Sequence, residues 1–155
     1  MNNKIGIDFH GVIDAQPELF AIFCREVRQL GILVYIISGG PEADVARCLH
    51  EHRVEYDGLW AIYDYYEAQG KVTRFDDGSF QVPTELWTKA KAEYCMREGI
   101  GFHIDDSSVY GKYFVTPYCH YDMAEDACAL HDGLKIDFKN PSEAARLVAM
   151  YIKNN

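Results

Sequence analysis

A strand-like segment that ends in an acid, close to the start of the chain, constrains the fold most. Residues 5–7 (Ile-Gly-Ile) are apolar, and Asp8 follows them directly. A short run of β-branched residues predicts a buried strand. In open α/β sheets the carboxyl ends of the strands form the edge at which ligands bind, so an acid there, just before a turn at Gly11, indicates a functional site. An aspartate that only caps the turn is the alternative.

A second apolar run, over residues 32–37, is typical of a strand that is covered on both faces. It ends at Ser38 and Gly39, and Pro41 opens the next helix. A hydroxyl beside free backbone N–H groups forms an anion-binding corner. The same residues could also form a simple turn, and both interpretations stay open at this point.

Two adjacent acids end a third apolar segment. Residues 101–104 lead into Asp105 and Asp106, and Ser107 follows. Two neighbouring carboxylates repel each other unless a cation or hydrogen-bond donors lie between them. The pair therefore predicts either Mg²⁺ or a set of donors, and the alternative is again a pair of acids that caps a turn.

Apolar residues at helical spacing predict four helices, with Pro or Gly near their ends. They cover residues 17–30, 42–53, 84–98 and 140–152. Only two or three residues separate Asp14 from the first helix, which leaves no room for a cap domain at that point.

Residues 56–82 combine two patterns. The first part favours a helix closed by Gly70, although a strand over residues 59–62 fits as well. The turn Asp76-Asp77-Gly78 then predicts a β-hairpin within residues 71–82. This hairpin is either a small flap over the site or ordinary structure at the edge of a sheet.

The last third of the chain gives weaker signals. We expect strands over residues 113–115 and 134–138, and surface structure over residues 118–133. That surface segment holds two cysteines and two histidines, which are Cys119, His120, Cys128 and His131. Because neighbouring residues cannot easily converge on one tetrahedral ion, we do not predict a zinc site there.

Composition limits the classes of function. A chain of 155 residues, 48% of them hydrophobic, has the size and apolar content of a single domain over residues 1–155. Lys and Arg number 15 and Asp and Glu 24, so the net charge is −9. This balance disfavours binding to duplex nucleic acid, which needs clustered cations.

The cysteines and the apolar segments suggest a location. Five cysteines, with no Cys-x-x-Cys pair, argue against disulfides and favour a reduced, cytoplasmic setting. No long apolar run opens the chain or is long enough to cross a bilayer, so we expect neither a signal peptide nor a membrane partner.

The segment Asp8-Phe9-His10-Gly11-Val12-Ile13 resembles the first motif of the haloacid dehalogenase-like (HAD) phosphohydrolase superfamily. That motif is a hydrophobic strand followed by Asp-x-Asp-Gly-(Thr/Val)-(Val/Ile/Leu). His10 stands where the phosphatases of the family carry a second Asp.

The other motifs of the family follow in the expected order. Ser38 is similar to the second motif, a strand that ends in Ser or Thr. Lys91, with Lys89 as the second choice, is similar to the third motif, a basic residue on the helix before the last motif strand. Asp105 and Asp106 resemble the fourth motif.

The resemblance implies a fold and an activity. The fold is a Rossmann-like three-layer α/β/α sandwich with a mainly parallel sheet and a minimal cap. The activity is Mg²⁺-dependent hydrolysis of a small phosphomonoester through an aspartyl-phosphate on Asp8. By the same resemblance, Mg²⁺ is held by Asp8, the backbone carbonyl of His10 and Asp106, with Asp105 acting on its water shell, and Ser38, Gly39 and Lys91 hold the phosphoryl oxygens.

His10 leaves alternatives open. Histidine exchanges protons near neutral pH, so His10 could replace the missing Asp as acid and base. The alternative is a catalytically weak or inactive protein that binds a phosphorylated ligand or a protein partner. A dehalogenase also fits Asp8, but halide leaving groups need no divalent cation, so the two adjacent acids speak against it.

Overall fold

The computed structural model describes residues 2–155. Strands and helices alternate through most of this part of the chain. Their bounds are β1 (Lys4–Ile7), α1 (Pro17–Gln29), β2 (Leu33–Ser38), α2 (Glu42–Glu51), β3 (Gly58–Ala61), α3 (Ile62–Glu67), β4 (Thr73–Arg74), β5 (Phe80–Gln81), α4 (Thr84–Glu98), β6 (Phe102–Asp105), β7 (Tyr118–Asp122), β8 (Ala127–Ala129), β9 (Lys135–Asp137) and α5 (Pro141–Lys153).

Within residues 2–155, the main sheet has seven strands in the order β3-β2-β1-β6-β7-β8-β9. The first five strands in this order are parallel, and the last two pair antiparallel. The expectation of an α/β fold with a mainly parallel sheet is therefore confirmed. The strand order changes direction between β1 and β6, and such a switch point opens a crevice at the carboxyl ends of the strands.

Helices pack on both faces of this sheet. On one face, α1, α2 and α5 bury their apolar sides in a core that includes Ile36 of β2. On the other face, Tyr94 and Cys95 of α4 pack on Ile37. Successive strand residues point to opposite faces, which explains why the whole run of residues 32–37 is apolar.

Aromatic rings fill the larger core. Phe20 and Phe23 of α1 lie near Phe138, with ring centroids 4.9 and 5.1 Å from its ring. Tyr121 of β7 closes the group, 5.7 Å from Phe20. The helices α1 and α5 pack against each other, and the same core contains Ile5 and Ile7 of β1.

Residues 56–82 contain both structures that the sequence left open. A strand, β3, is followed at once by the helix α3. The predicted hairpin is present as β4 and β5, although each of its strands has only two residues. In residues 2–155, none of the helices is both long and apolar enough to cross a membrane.

The predicted strand over residues 113–115 is wrong. The chain forms a short 3₁₀-helix at Tyr110–Tyr113, and the next strand begins only at Tyr118, after Pro117. The apolar residues misled the prediction, since Val115 is 78% exposed and marks no core position.

The interpretation of residues 118–133 as surface structure is also wrong. This segment supplies β7 and β8, and Cys119 and Cys128 form a disulfide between them, so the prediction that disulfides are absent is wrong too. The antiparallel pairing puts both buried cysteines on one face, with their Cα atoms 5.5 Å apart. The reduced, cytoplasmic setting inferred from the cysteine count loses that support.

Candidate active site

Asp8 and Asp105 meet at the switch point of the sheet. Asp8 directly follows β1, and Asp105 is the last residue of β6, the neighbouring strand. The backbone N–H of Asp8 donates to the carbonyl of Ile104 over 2.9 Å, which continues the pairing of the two strands. Both acids are buried, with 4% and 0% of their surface exposed.

Lys91 links these two acids. It comes from α4, and its Nζ donates to Asp8 Oδ1 over 2.8 Å and to Asp105 Oδ2 over 2.9 Å. Its side chain is only 5% exposed. Lys89, the second choice, is exposed, and its Nζ lies 5.9 Å from the ring centre of Tyr113. The structure thus brings Lys91, and not Lys89, to the two acids.

The charges at this crevice do not balance among the side chains. Burial raises the pKa of Asp8 well above its ordinary value, and the carboxylates of Asp105 and Asp106 add to the rise, while Lys91 opposes it. Burial also works against ionisation of Asp105, but Lys91 and His103 outweigh it and hold its pKa below the usual range. Three carboxylates face one ammonium group, so a divalent cation would restore neutrality.

The three acids could hold a metal ion. Oxygen atoms of Asp8, Asp105 and Asp106 lie within 4.8 Å of one another. Hard oxygen ligands of this kind suit Mg²⁺. Asp105 already accepts hydrogen bonds at both oxygens, at Oδ2 from Lys91 and His103 and at Oδ1 from the N–H of Ser107. Asp8 and the exposed Asp106 are therefore the better direct ligands.

The turn Phe9–Ile13 shapes the other side of this cluster. Gly11 has a φ of +84°, and a Cβ at this position would overlap the carboxylate of Asp106. Its N–H donates to Asp14 Oδ1 over 2.7 Å. The side chain of His10 is 58% exposed, with Nδ1 3.5 Å from Asp14 Oδ2. The role of the His10 carbonyl as a ligand stays a prediction.

Ser38 ends β2, which pairs with β1 in parallel, so both carry their final residues to the same edge of the sheet. The Ser38 hydroxyl is fully buried and accepts a hydrogen bond from the N–H of Gly40 over 3.1 Å. Its own proton remains available for an anion. The indole of Trp87 packs directly on Gly39, which leaves no space for a side chain there.

Sequence reasoning missed His103. It is fully buried, and its Nε2 lies 3.0 Å from Asp105 Oδ2. Burial lowers the pKa of His103, so a neutral ring donates Nε2–H to the carboxylate. The sequence did contain a signal for His103. Residues two apart on a strand share a face, and His103 precedes Asp105 by two positions.

Trp87 and Tyr110 were also missed. The Trp87 Nε1–H donates to the Tyr110 hydroxyl over 2.6 Å, and the ring centre of Tyr110 lies 5.6 Å from Lys91 Nζ. Trp87 stands four residues before Lys91 on α4, and this spacing places both on one side of the helix. Nothing in the sequence pointed to Tyr110, because no structure was predicted for the residues between Ser107 and Tyr113.

Two side chains of β7 brace the loop that carries Asp106. The Tyr118 hydroxyl donates to the carbonyl of Ser107 over 2.6 Å, and His120 Nε2 lies 2.9 Å from the carbonyl oxygen of Asp106. Both also line a groove of about 840 Å³, together with Ser107 and Ser108 of this loop. The groove does not include Asp8 or Lys91 among its lining residues.

Comparisons of the chain with protein-family models, with curated proteins and with solved structures find no match. Inference about function therefore rests on the geometry and the charges of the site.

Proposed function

We propose that this protein is a Mg²⁺-dependent phosphomonoester hydrolase of the HAD-like type, with Asp8 as the nucleophile. One observation carries the proposal: Lys91 joins Asp8 and Asp105 at the switch point of a mainly parallel sheet, with Asp106 beside them. A buried acid that is held by an ammonium group and lies next to further carboxylates is unusual for a purely structural site.

The donor set is suited to the proposed cofactor. Asp8 and Asp106, with the backbone carbonyl of His10, would hold Mg²⁺, and Asp105 would act through its water shell. When bound, the ion would screen the repulsion between the phosphate dianion and the three carboxylates.

The chain itself would supply the nucleophile and the anion-binding groups. A carboxylate oxygen of Asp8 would attack phosphorus in line, and the bond from phosphorus to the leaving oxygen would break. Lys91 keeps Asp8 in place by the 2.8 Å hydrogen bond. Its ammonium group and the Ser38 hydroxyl would also hold the phosphoryl oxygens as charge builds, together with the Gly39 backbone.

His10 would act as the general acid and the general base of the reaction. It would donate a proton to the leaving oxygen and then take one from the water that hydrolyses the aspartyl-phosphate, which releases phosphate and restores Asp8. The exposed imidazole is open to substrate and solvent, and Asp14 lies beside Nδ1. His10→Ala should lower kcat by roughly 10²-fold, the lower end for a general acid–base residue, without weakening Mg²⁺ binding.

The decisive experiment measures hydrolysis of phenyl phosphate with and without Mg²⁺. Activity that requires Mg²⁺ and is lost in Asp8→Asn supports the proposal. The activity of Asp8→Asn is compared with that of Asp14→Asn, a variant that changes the acid beside His10 and leaves the proposed nucleophile Asp8 in place. Activity that survives in Asp8→Asn would refute the aspartyl-phosphate route.

A second candidate is a binding protein without turnover. The observation in its favour is the sequence of the first motif, in which His10 stands where the phosphatases of the HAD family carry a second Asp. This candidate predicts that Mg²⁺ and inorganic phosphate bind to the wild type while no phosphomonoester is hydrolysed.

A further inference from the structure

Trp87 and Tyr110 form an aromatic wall beside the proposed phosphoryl site. The Tyr110 ring centre lies 5.6 Å from Lys91 Nζ, and the Trp87 ring packs on Gly39. The wall therefore lies near Lys91 and against the backbone of Gly39, both of which would hold the phosphoryl group. Both rings are half-buried and keep part of their surface open.

The polar groups of this wall face each other. The Trp87 N–H is a donor only, and it is used in the 2.6 Å hydrogen bond to the Tyr110 hydroxyl. Trp87 thus has no polar atom left for a substrate and offers only its ring surface. Flat aromatic surfaces of this kind favour stacking with other planar rings.

The hairpin formed by β4 and β5 packs next to the aromatic wall through Phe80. The ring of Phe80, on β5, lies 6.0 Å from the ring of Trp87 and 4.6 Å from that of Tyr63. Val82, at the end of the same segment, is buried in this cluster. The short hairpin is therefore anchored next to the site by aromatic packing.

We propose that Trp87 and Tyr110 select phosphomonoesters whose leaving group carries a planar aromatic ring. The inference rests on the proposed function and deepens it by naming the class of substrate. The ring of the leaving group stacks on the wall while Lys91 and the Ser38 corner hold the phosphate.

Matched substrate pairs test the selectivity. Benzyl phosphate is compared with cyclohexylmethyl phosphate, and adenosine 5′-monophosphate with ribose 5-phosphate, so that each pair differs by an aromatic ring while both members have a primary alcohol as the leaving group. Stacking of a base on an aromatic side chain gives about tenfold, and we expect kcat/KM to favour the ring-bearing member by roughly that factor. The first pair responds if the ring lies one carbon from the ester oxygen, and the second if a sugar lies between them.

Variants of Tyr110 then test whether the preference for ring-bearing substrates depends on the aromatic wall. Tyr110→Leu should remove most of the preference for the ring-bearing substrate, and Tyr110→Phe, which keeps the ring, should retain it. Tyr113→Leu is the matched control, because Tyr113 lies in the same short helix with its ring beside Lys89 and Lys112. Equal kcat/KM within each pair in the wild type, or an unchanged preference in Tyr110→Leu, would overturn the inference.

A binding measurement separates this inference from the proposed function. Trp60→Phe leaves Trp87 as the single tryptophan of the chain. In this background, phenylphosphonate should quench the fluorescence of Trp87 and bind roughly tenfold more tightly than propylphosphonate. Neither phosphonate is hydrolysed, so the result holds whether or not the protein turns over substrate. Equal affinity without quenching refutes the aromatic wall, whereas missing Asp8-dependent hydrolysis refutes only the phosphatase.

Discussion

Lys91 is the side chain on which the site depends most. It is buried between two acids, and their charges raise its pKa above the ordinary value although burial alone would lower it. The ammonium group therefore stays charged at every pH at which the protein would work. The neighbouring carboxylates need this charge, since buried ions without a partner are strongly destabilising.

Replacement of Lys91 should consequently destabilise the fold. Lys91→Met removes the charge and leaves Asp8 and Asp105 buried together, and we expect a loss of about 3–5 kcal/mol in the free energy of unfolding. Lys89→Met, two residues away on the exposed side of the same helix, should change it by less than about 0.5 kcal/mol. Urea denaturation in the presence of EDTA compares the two, and equal losses would contradict the central position given to Lys91.

Asp8 should lower the stability of the metal-free protein. Its pKa is higher in the folded state than in the unfolded state, so the folded protein binds that proton more tightly. The wild type therefore loses stability as the pH rises above the unfolded value of about 3.9, and the loss grows until the pH passes the raised folded value. Asn at this position is neutral and can still accept a hydrogen bond from Lys91.

Asp8→Asn should therefore melt at a higher temperature than the wild type at pH 7.5 without metal. We expect a rise of roughly 2–6 °C, since 1 kcal/mol shifts Tm by about 2–4 °C in a chain of this size. The difference should shrink towards pH 4, where both side chains are neutral. Differential scanning calorimetry measures it, with Asp76→Asn in the exposed hairpin turn as the control. A lower Tm for Asp8→Asn at pH 7.5 would show that Lys91 outweighs burial at Asp8.

At the scale of elements, the turn Phe9–Ile13 connects β1 with the loop that carries Asp106. Gly11 has a positive φ, and its Cα lies against the carboxylate of Asp106. Any side chain there would push the two segments apart. The position needs glycine both for its backbone conformation and for the space beside it.

Gly11→Ala should accordingly weaken both stability and Mg²⁺ binding. Gly31→Ala is the matched control, because Gly31 has a φ of +89° but nothing within 4 Å of its added Cβ. The control should lose about 1–2 kcal/mol in stability from backbone strain alone. Gly11→Ala should lose more, and calorimetric titration should show Mg²⁺ affinity reduced at least tenfold only in this variant. Equal Mg²⁺ affinities would mean that Gly11 does not position Asp106.

Elements could be predicted where the signal is local. The runs before Asp8, Ser38 and Asp105 gave the three central strands, and helical spacing gave α1, α2, α4 and α5 within a few residues. Residues 107–133 could not be predicted in this way. There an exposed Val115 imitated a strand, and the pairing of Cys119 with Cys128 depends on a strand register that no local pattern specifies.

At the scale of the whole molecule, the order of the strands brings together residues that no local sequence pattern connects. Asp8, Ser38 and Asp105 are far apart in the chain, and the parallel order β2-β1-β6 carries them to one edge. Each of these residues ends an apolar run, and parallel strands carry such residues to one edge of the sheet, which is why they could be named from the sequence without the strand order. Tyr110 could not be named from the sequence. Its partner Trp87 lies 23 residues earlier, and no local pattern predicts the hydrogen bond between them.

Binding of Mg²⁺ should act on the stability of the whole protein, because the three acids come from two central strands and the loop after them. A ligand that binds only the folded state at 100 times its Kd adds about 2.7 kcal/mol, which corresponds to roughly 5–10 °C in Tm for this chain length. A chain with a net charge of −9 also gains stability from any salt, so the titration needs KCl of equal ionic strength as its reference. Asp106→Asn should abolish the extra shift, because it removes an exposed proposed ligand without disturbing the buried Lys91 bridge. An equal shift in this variant and the wild type would place the effect of Mg²⁺ on the surface charge and refute the proposed metal site.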